Sequence, residues 1–177
     1  MGEERKNIFT VGSPVLDEKK NIKNIERKAL EKEFQLELKK PFIIVLQHTV
    51  TTEYDETDNN FLNTLDAIKE LDIQSIIISG NLDAGSKKIE KIILNSKIKN
   101  YKTIEFTKFI NLLKHSTALV GNSSSGIIEA PFLQVPTVNI GTRQNKRLKS
   151  LSVIDVSYNK NNIKRGIIKA TNKKFFF

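Results

Sequence analysis

From Pro41 onward, short unbroken apolar runs alternate with segments whose apolar residues recur at helical spacing. A strand covered on both faces is apolar throughout, whereas a helix lying on a sheet needs only one apolar stripe, so this alternation predicts repeated β-α units on a parallel sheet. The first run, Phe42-Ile43-Ile44-Val45-Leu46, predicts a buried strand, and a polar loop from His48 to Asp58 follows it. Phe61, Leu62, Leu65, Ile68 and Leu71 then mark a helix with Asp58 as its N-cap, ahead of a second strand at Ser75-Ile76-Ile77-Ile78 and a turn from Gly80 to Gly85. The pattern continues with a helix from Ser86 to Asn95, a strand at Thr103 to Phe106 and a helix capped by Thr107 running through Leu113. Ala118-Leu119-Val120 is the next buried strand, and a short helix begins within Ser123-Ser124-Ser125-Gly126. Strands at Thr137 to Ile140 and Ser152 to Val156 and a last helix from Asn159 complete an α/β, Rossmann-like parallel sheet.

The first forty residues break the pattern. Ile8-Phe9-Thr10-Val11-Gly12-Ser13-Pro14 reads as a strand ending in a turn, followed by a highly charged amphipathic helix. The expected organisation is therefore a junction segment and leading helix over residues 1–40, then one Rossmann-like domain over residues 41–177. A chain of 177 residues suits one domain with a real core.

Composition narrows the function classes. Hydrophobic residues are 38% and charged residues 28%, and no apolar stretch has the length of a membrane span. The polar start Met1-Gly2-Glu3-Glu4-Arg5-Lys6 lacks the apolar core of a secretory leader, and a cytoplasmic location is the expectation. Zero cysteines exclude disulfides, thiolate metal sites and a cysteine nucleophile, and no cluster has metal-ligand spacing, so neither metal nor cofactor is expected. The net charge of +9 would suit nucleic acid if it were concentrated, but pairs such as Lys19-Lys20, Lys39-Lys40, Lys87-Lys88 and Lys173-Lys174 fall in different segments. Neither nucleic acid nor membrane is an expected partner.

Four polar loops fall at the carboxyl ends of strands, where parallel sheets bind their ligands. In Val120-Gly121-Asn122-Ser123-Ser124-Ser125-Gly126-Ile127-Ile128-Glu129 a strand empties through small polar residues into a helix start, a setting that suits phosphate. Ser123 and Ser124 would add hydroxyl donors, and Glu129 could accept the two hydroxyls of a ribose. The same residues would also serve as plain helix caps and solvated surface. This is neither a Walker A loop, since no Gly-Lys-Ser/Thr follows, nor a dinucleotide fingerprint, since the glycine spacing differs. The second loop, Gln47-His48-Thr49-Val50-Thr51-Thr52, carries one of two histidines, able to donate to phosphate or to move a proton; His115, near a helix end, reads as structural. Gly141-Thr142-Arg143-Gln144 offers a planar guanidinium to a phosphate or base, and Asn81-Leu82-Asp83-Ala84-Gly85-Ser86 turns into a helix.

Taken in order, Val11-Gly12-Ser13-Pro14 with Leu16-Asp17, Leu46-Gln47-His48 with Val50-Thr51-Thr52, Asp83-Ala84-Gly85-Ser86, Gly121-Asn122-Ser123-Ser124-Ser125-Gly126 with Glu129, and Asn139-Ile140-Gly141-Thr142-Arg143-Gln144 resemble the C-terminal half of the hydrolysing UDP-N-acetylglucosamine 2-epimerases of sialic-acid-type sugar synthesis. The resemblance implies a glycosyltransferase-B-like protein of two Rossmann-like halves with the substrate between them. It implies hydrolysis of UDP-N-acetylglucosamine to N-acetylmannosamine and UDP, by elimination of UDP and hydration of a glycal. On that basis His48 takes the catalytic position beside the diphosphate, while Asn122, Ser123, Ser124, Gly126, Glu129 and Arg143 bind the nucleotide and diphosphate. Within that set the serines hold the diphosphate, Glu129 the ribose, and Arg143 fixes the nucleotide.

The implied partners are a UDP-sugar and the family's N-terminal domain, in cis or in trans, which supplies the carboxylates that move protons at the sugar. A homo-oligomer is admitted as well. The resemblance further implies that the C-terminus is truncated after Phe175-Phe176-Phe177 and that the isolated chain is inactive. Two other readings stay open: the donor-binding domain of a nucleotide-sugar glycosyltransferase, and a nucleotide-binding module without catalysis. The choices between UDP and GDP, and between N-acetylglucosamine and a diacetamido sugar, stay open with them.

Overall fold

Residues 3–12, 16–17, 21–79 and 86–172 are described by the computed structural model of the chain. Six strands form one parallel sheet: β1 (Phe42–Leu46), β2 (Gln74–Ile78), β3 (Lys99–Tyr101), β4 (Ala118–Gly121), β5 (Thr137–Ile140) and β6 (Val153–Val156), in the order β3-β2-β1-β4-β5-β6. Among the described residues they are accompanied by the α-helices α1 (Arg27–Phe34), α2 (Thr57–Leu71), α3 (Ser86–Ser96), α4 (Phe106–His115), the short α5 (Glu129–Phe132) and α6 (Lys160–Thr171). The chain lays strands outward from β1 to β3, then returns to place β4 on the other side of β1. The gap between the loops leaving β1 and β4 is thus the point where the winding reverses, the usual ligand crevice of an open α/β sheet.

Side chains alternate across the strands, and the sheet therefore separates two cores. Phe42, Ile44 and Leu46 of β1 join Ile76, Ile78 and Leu119 beneath α1 and α4, with Leu30, Phe34, Leu112 and Leu113 buried among them. Ile43 and Val45 point the other way, joining Ile77, Val120, Val138 and Ile140 against α2, α3 and α6 through Phe61, Leu65, Ile68, Ile93, Ile163 and Ile167. All five residues of β1 are buried, as befits the central strand of a doubly covered sheet. Each such side chain removed from water stabilises the fold by about 1.5–3 kcal/mol. Leu30, Phe34, Leu36 and Leu38 show that the leading helix and the residues after it contribute to the same core as the sheet.

The strands expected at 42–46, 75–78, 118–120, 137–140 and 152–156, and the helices expected from Ser86 and Asn159, are present within a residue or two. The Asn159 side chain accepts from the amides of Asn161 and Asn162 and caps α6. Other expectations fail. The third strand is Lys99–Tyr101 rather than 103–106, because it pairs with Ile76 to Ile78 at the sheet edge and, being largely exposed, carries no apolar run. Glu105, not Thr107, caps the following helix, its carboxylate accepting from the amides of Thr107 and Lys108 at 2.8 and 3.1 Å. Asp58 lies in the first turn of α2 rather than before it; the chain reaches Thr57 already coiled as a 3-10 segment (Thr51–Glu56), so no extended capping residue is needed.

Residues 8–12 form no strand pairing among the described residues, and Ile8, Phe9 and Val11 are exposed at 59, 78 and 78%. The loop from Gly80 to Gly85 and residues 13–15 lie outside the described residues. Among the described residues no helix is long and apolar enough to cross a membrane.

Gly121 ends β4 at φ +135°, and a Cβ there would stand 2.2 Å from the Leu46 carbonyl oxygen. Gly121→Ala therefore requires the two central strands to part, and chemical denaturation should register a loss of about 3 kcal/mol or more. His115, at the last turn of α4, is held below its ordinary pKa of 6.5 first by burial and then by the nearby Arg27 and Lys114, against a smaller pull from Glu31. Its proton is thus disfavoured in the folded state, so its contribution is present above pH 6.5 and lost as the pH falls below it. Thermal melts between pH 7 and 5 should show the wild type losing more stability than His115→Gln.

Candidate nucleotide site at the switch point

The loops leaving β1, β4 and β5 are tied together by one residue. Asn122 follows β4 and is fully buried. Its side-chain oxygen accepts from the His48 amide at 2.7 Å and its side-chain nitrogen donates to the His48 carbonyl at 2.9 Å. Its own amide reaches the Leu46 carbonyl at 3.2 Å. The Asn122 carbonyl in turn accepts from Arg143 Nη1 at 3.1 Å and Gln144 Nε2 at 2.8 Å. Sequence neighbours of three different strands thereby meet at the crevice between β1 and β4.

Of the sequence-predicted residues, His48, Asn122 and Arg143 are brought into direct contact. Both backbone groups of His48 are fixed, which sets where its half-buried side chain begins. Both polar groups of the Asn122 side chain are engaged by that backbone, so the residue shapes the loop it was expected to line. Arg143 is exposed and uses one guanidinium donor on the Asn122 carbonyl; a guanidinium carries five.

Ser123 is buried, and its hydroxyl oxygen accepts from the Ser125 amide at 3.3 Å. Ser124 is half-buried, and its hydroxyl takes no partner among the described residues. The expected helix at this point is instead one 3-10 turn (Ser124–Gly126) and the four-residue α5. A helix dipole of that length is small, so any anion here must rely on hydroxyls, amides and the guanidinium. Gly126 is buried against Thr137, whose Cγ2 lies 2.5 Å from where a Cβ would stand, so packing of the turn onto β5 accounts for this glycine. Glu129 opens α5 and is half-buried. No group of three or more His, Cys, Asp or Glu residues able to hold a metal ion occurs among the described residues.

Two features escaped the sequence reading. A cleft bordered by Leu46, Ile78, Lys102, Thr103, Ile104, Phe109 and Ser125 opens beside the serine turn. With β3 ending at Tyr101, Lys102 to Ile104 form a carboxyl-end loop rather than the strand expected at 103–106, and the cleft opens at that loop. The second is Glu53, whose carboxylate accepts from the hydroxyls of Thr142 and, at 2.6 Å, Tyr158. Tyr158 follows β6 at the same sheet edge, which was the one available signal.

Residues 1–175 match the sequence profile of the family described as UDP-N-acetylglucosamine 2-epimerase. A UDP-N,N'-diacetylbacillosamine 2-epimerase (hydrolyzing) of Legionella pneumophila is 33% identical over 177 residues, covering 98% of this chain and 47% of that protein. A UDP-N-acetylglucosamine 2-epimerase of Neisseria meningitidis is 36% identical over 167 residues, covering 92% and 44%. The solved structure of Methanocaldococcus jannaschii UDP-GlcNAc 2-epimerase in complex with UDP-GlcNAc and UDP superposes with a TM-score of 0.73, covering 98% of this chain and 50% of that one at 22% identity. The chain therefore spans about half the length of the curated relatives it matches, and corresponds to their C-terminal half. Its fold is that of the Rossmann-like half of a glycosyltransferase-B-like architecture. With nearly its whole length matched, the chain belongs to the UDP-N-acetylglucosamine 2-epimerase family.

Proposed function

We propose that this chain is the nucleotide-binding half of a hydrolysing UDP-N-acetylglucosamine 2-epimerase. The observation that carries the reading is the convergence of His48, Arg143 and the serine turn on the switch-point crevice through Asn122. The Ser123 and Ser124 region and Arg143 receive the diphosphate, the cleft beside Ser125 receives the base, and Glu129 accepts the ribose hydroxyls. His48 stands at the diphosphate and assists its departure.

In the reaction proposed, the bond between the anomeric carbon and the diphosphate oxygen breaks, and the electron pair leaves with UDP. A base removes the proton at C2 to give the glycal, and water then adds across its double bond to release N-acetylmannosamine. Charge grows on the leaving diphosphate in the first step, where fixed hydroxyl, guanidinium and imidazole donors are most effective. The groups that move protons at the sugar belong to the other half, so the isolated chain binds without turnover. That other half, present in cis or in trans, would cover the exposed Ile8, Phe9 and Val11. The reaction takes place in the cytoplasm.

Calorimetric titration of the purified chain tests the binding step: UDP should bind saturably and better than GDP, and Glu129→Ala should weaken UDP binding about tenfold, near 1.4 kcal/mol. A folded chain that binds no UDP would overturn the assignment. Adding the amino-terminal half of a family relative should then release free N-acetylmannosamine and UDP from UDP-N-acetylglucosamine without any acceptor. Transfer only to an added acceptor would indicate a glycosyltransferase, binding without turnover a non-catalytic module, and turnover of a diacetamido sugar alone a different substrate.

A further inference from the structure

The loop that carries His48 has little apolar anchorage of its own. Thr51, Thr52, Asp55 and Glu56 are exposed, and beneath the loop lies a small cavity bordered by Gln47, Thr49, Thr57, Asn60 and Ile89. Asn122 holds the loop at His48. Five residues on, Glu53 holds it again, its two carboxylate oxygens accepting from Thr142 and Tyr158. Thr142 immediately precedes Arg143, and the Tyr158 ring is packed so closely on Gly141, at φ +76°, that a Cβ there would stand 2.1 Å from the ring.

We propose that Glu53 is a positioning residue that, through Tyr158 and Thr142, clasps the His48 loop to the Arg143 loop, so that a nucleotide diphosphate meets a cradle already closed. This rests on the reading of the crevice as a diphosphate site. Hydrogen bonds to an ionised carboxylate are about twice as strong as neutral ones, which suits a tie between two otherwise exposed loops. Burial first, and then Glu53, hold the Tyr158 hydroxyl well above the ordinary tyrosine range, so it remains a donor at any physiological pH; the Thr142 backbone and the Asn122 side chain act in the opposite direction. A loop held in place before binding spares the ligand the entropy of ordering it.

The sign of one substitution separates this role from a purely electrostatic one. Glu53 is a negative charge near a proposed anion site, so its removal by itself should tighten diphosphate binding. If Glu53 is the clasp, Glu53→Ala should instead weaken UDP binding about tenfold, while Glu53→Gln, which keeps the shape and one of the two acceptor oxygens but not the charge, should lose less, about threefold. Combining Tyr158→Phe with Glu53→Ala should then cost no more than Glu53→Ala alone. Unchanged or tighter binding by Glu53→Ala would overturn the proposal.

Hydrogen–deuterium exchange of the unliganded chain supplies a readout independent of UDP. In Tyr158→Phe, and in Thr142→Val should Glu53→Ala fail to fold, exchange should rise together in residues 48–53 and 141–144 while the core strands stay protected. A rise confined to one loop, or none, would overturn the clasp. The coupled rise in a chain whose wild type ignores UDP would leave the clasp standing and discard the diphosphate reading.

Discussion

A buried carboxamide must find partners for both its oxygen and its nitrogen, and Asn122 finds both on the backbone of a single residue, His48. The arrangement works because β1 and β4 are adjacent and in register, with Leu46 opposite Gly121, so Asn122, one residue past β4, reaches the backbone of His48, two residues past β1, across the crevice. A carboxamide presents an acceptor and a donor side by side without adding charge, and asparagine carries it on a short stem. Once Asn122 is fixed, its carbonyl becomes the point to which Arg143 and Gln144 attach. The rest of the site is arranged around that exchange of hydrogen bonds.

The sheet makes the knot affordable. Apolar side chains fill both faces of β1 and β4, so the polar loops at the strand ends need only satisfy one another. The surface charge plays a lesser part: pairs such as Lys108 with Glu33, or Lys160 and Lys164 with Glu70, sit in the open, where salt screens them. The lysine pairs fall in different segments, and of the cations Arg143 bonds Asn122 itself while Arg147 is attached through Gln144.

Much of this was legible in the residues, for a physical reason. Central strands buried on both faces must be apolar throughout, which is why 42–46 and 118–120 stood out; an edge strand has no such requirement, and Lys99–Tyr101 passed unseen while the apolar alternation of Thr103 to Phe106 was mistaken for it. The polar loops at strand ends were legible for the same reason, since parallel topology sends them all to one edge. The partners within that edge were not. That Asn122 serves His48's backbone, or that Glu53 reaches Tyr158 across 105 positions, depends on side-chain geometry that spacing along the chain does not encode. The serine turn is intermediate: small polar residues after a strand announced a loop, but not that it would coil for only one 3-10 turn before α5.

The separation in sequence of the groups that meet at Asn122 bears on how the molecule matures. His48 and Asn122 lie 74 positions apart, and Gln144 a further 22 beyond Asn122. Loop closure over such distances is entropically costly until the intervening strands have docked. During synthesis the crevice cannot assemble when β1 first emerges from the ribosome; it must wait for β5 and the loop after it. A nascent chain interrupted before that point would carry the His48 loop and the serine turn but lack the Arg143 loop that binds the Asn122 carbonyl, so a completed crevice is a late certificate that the strands up to β5 have been laid down in order.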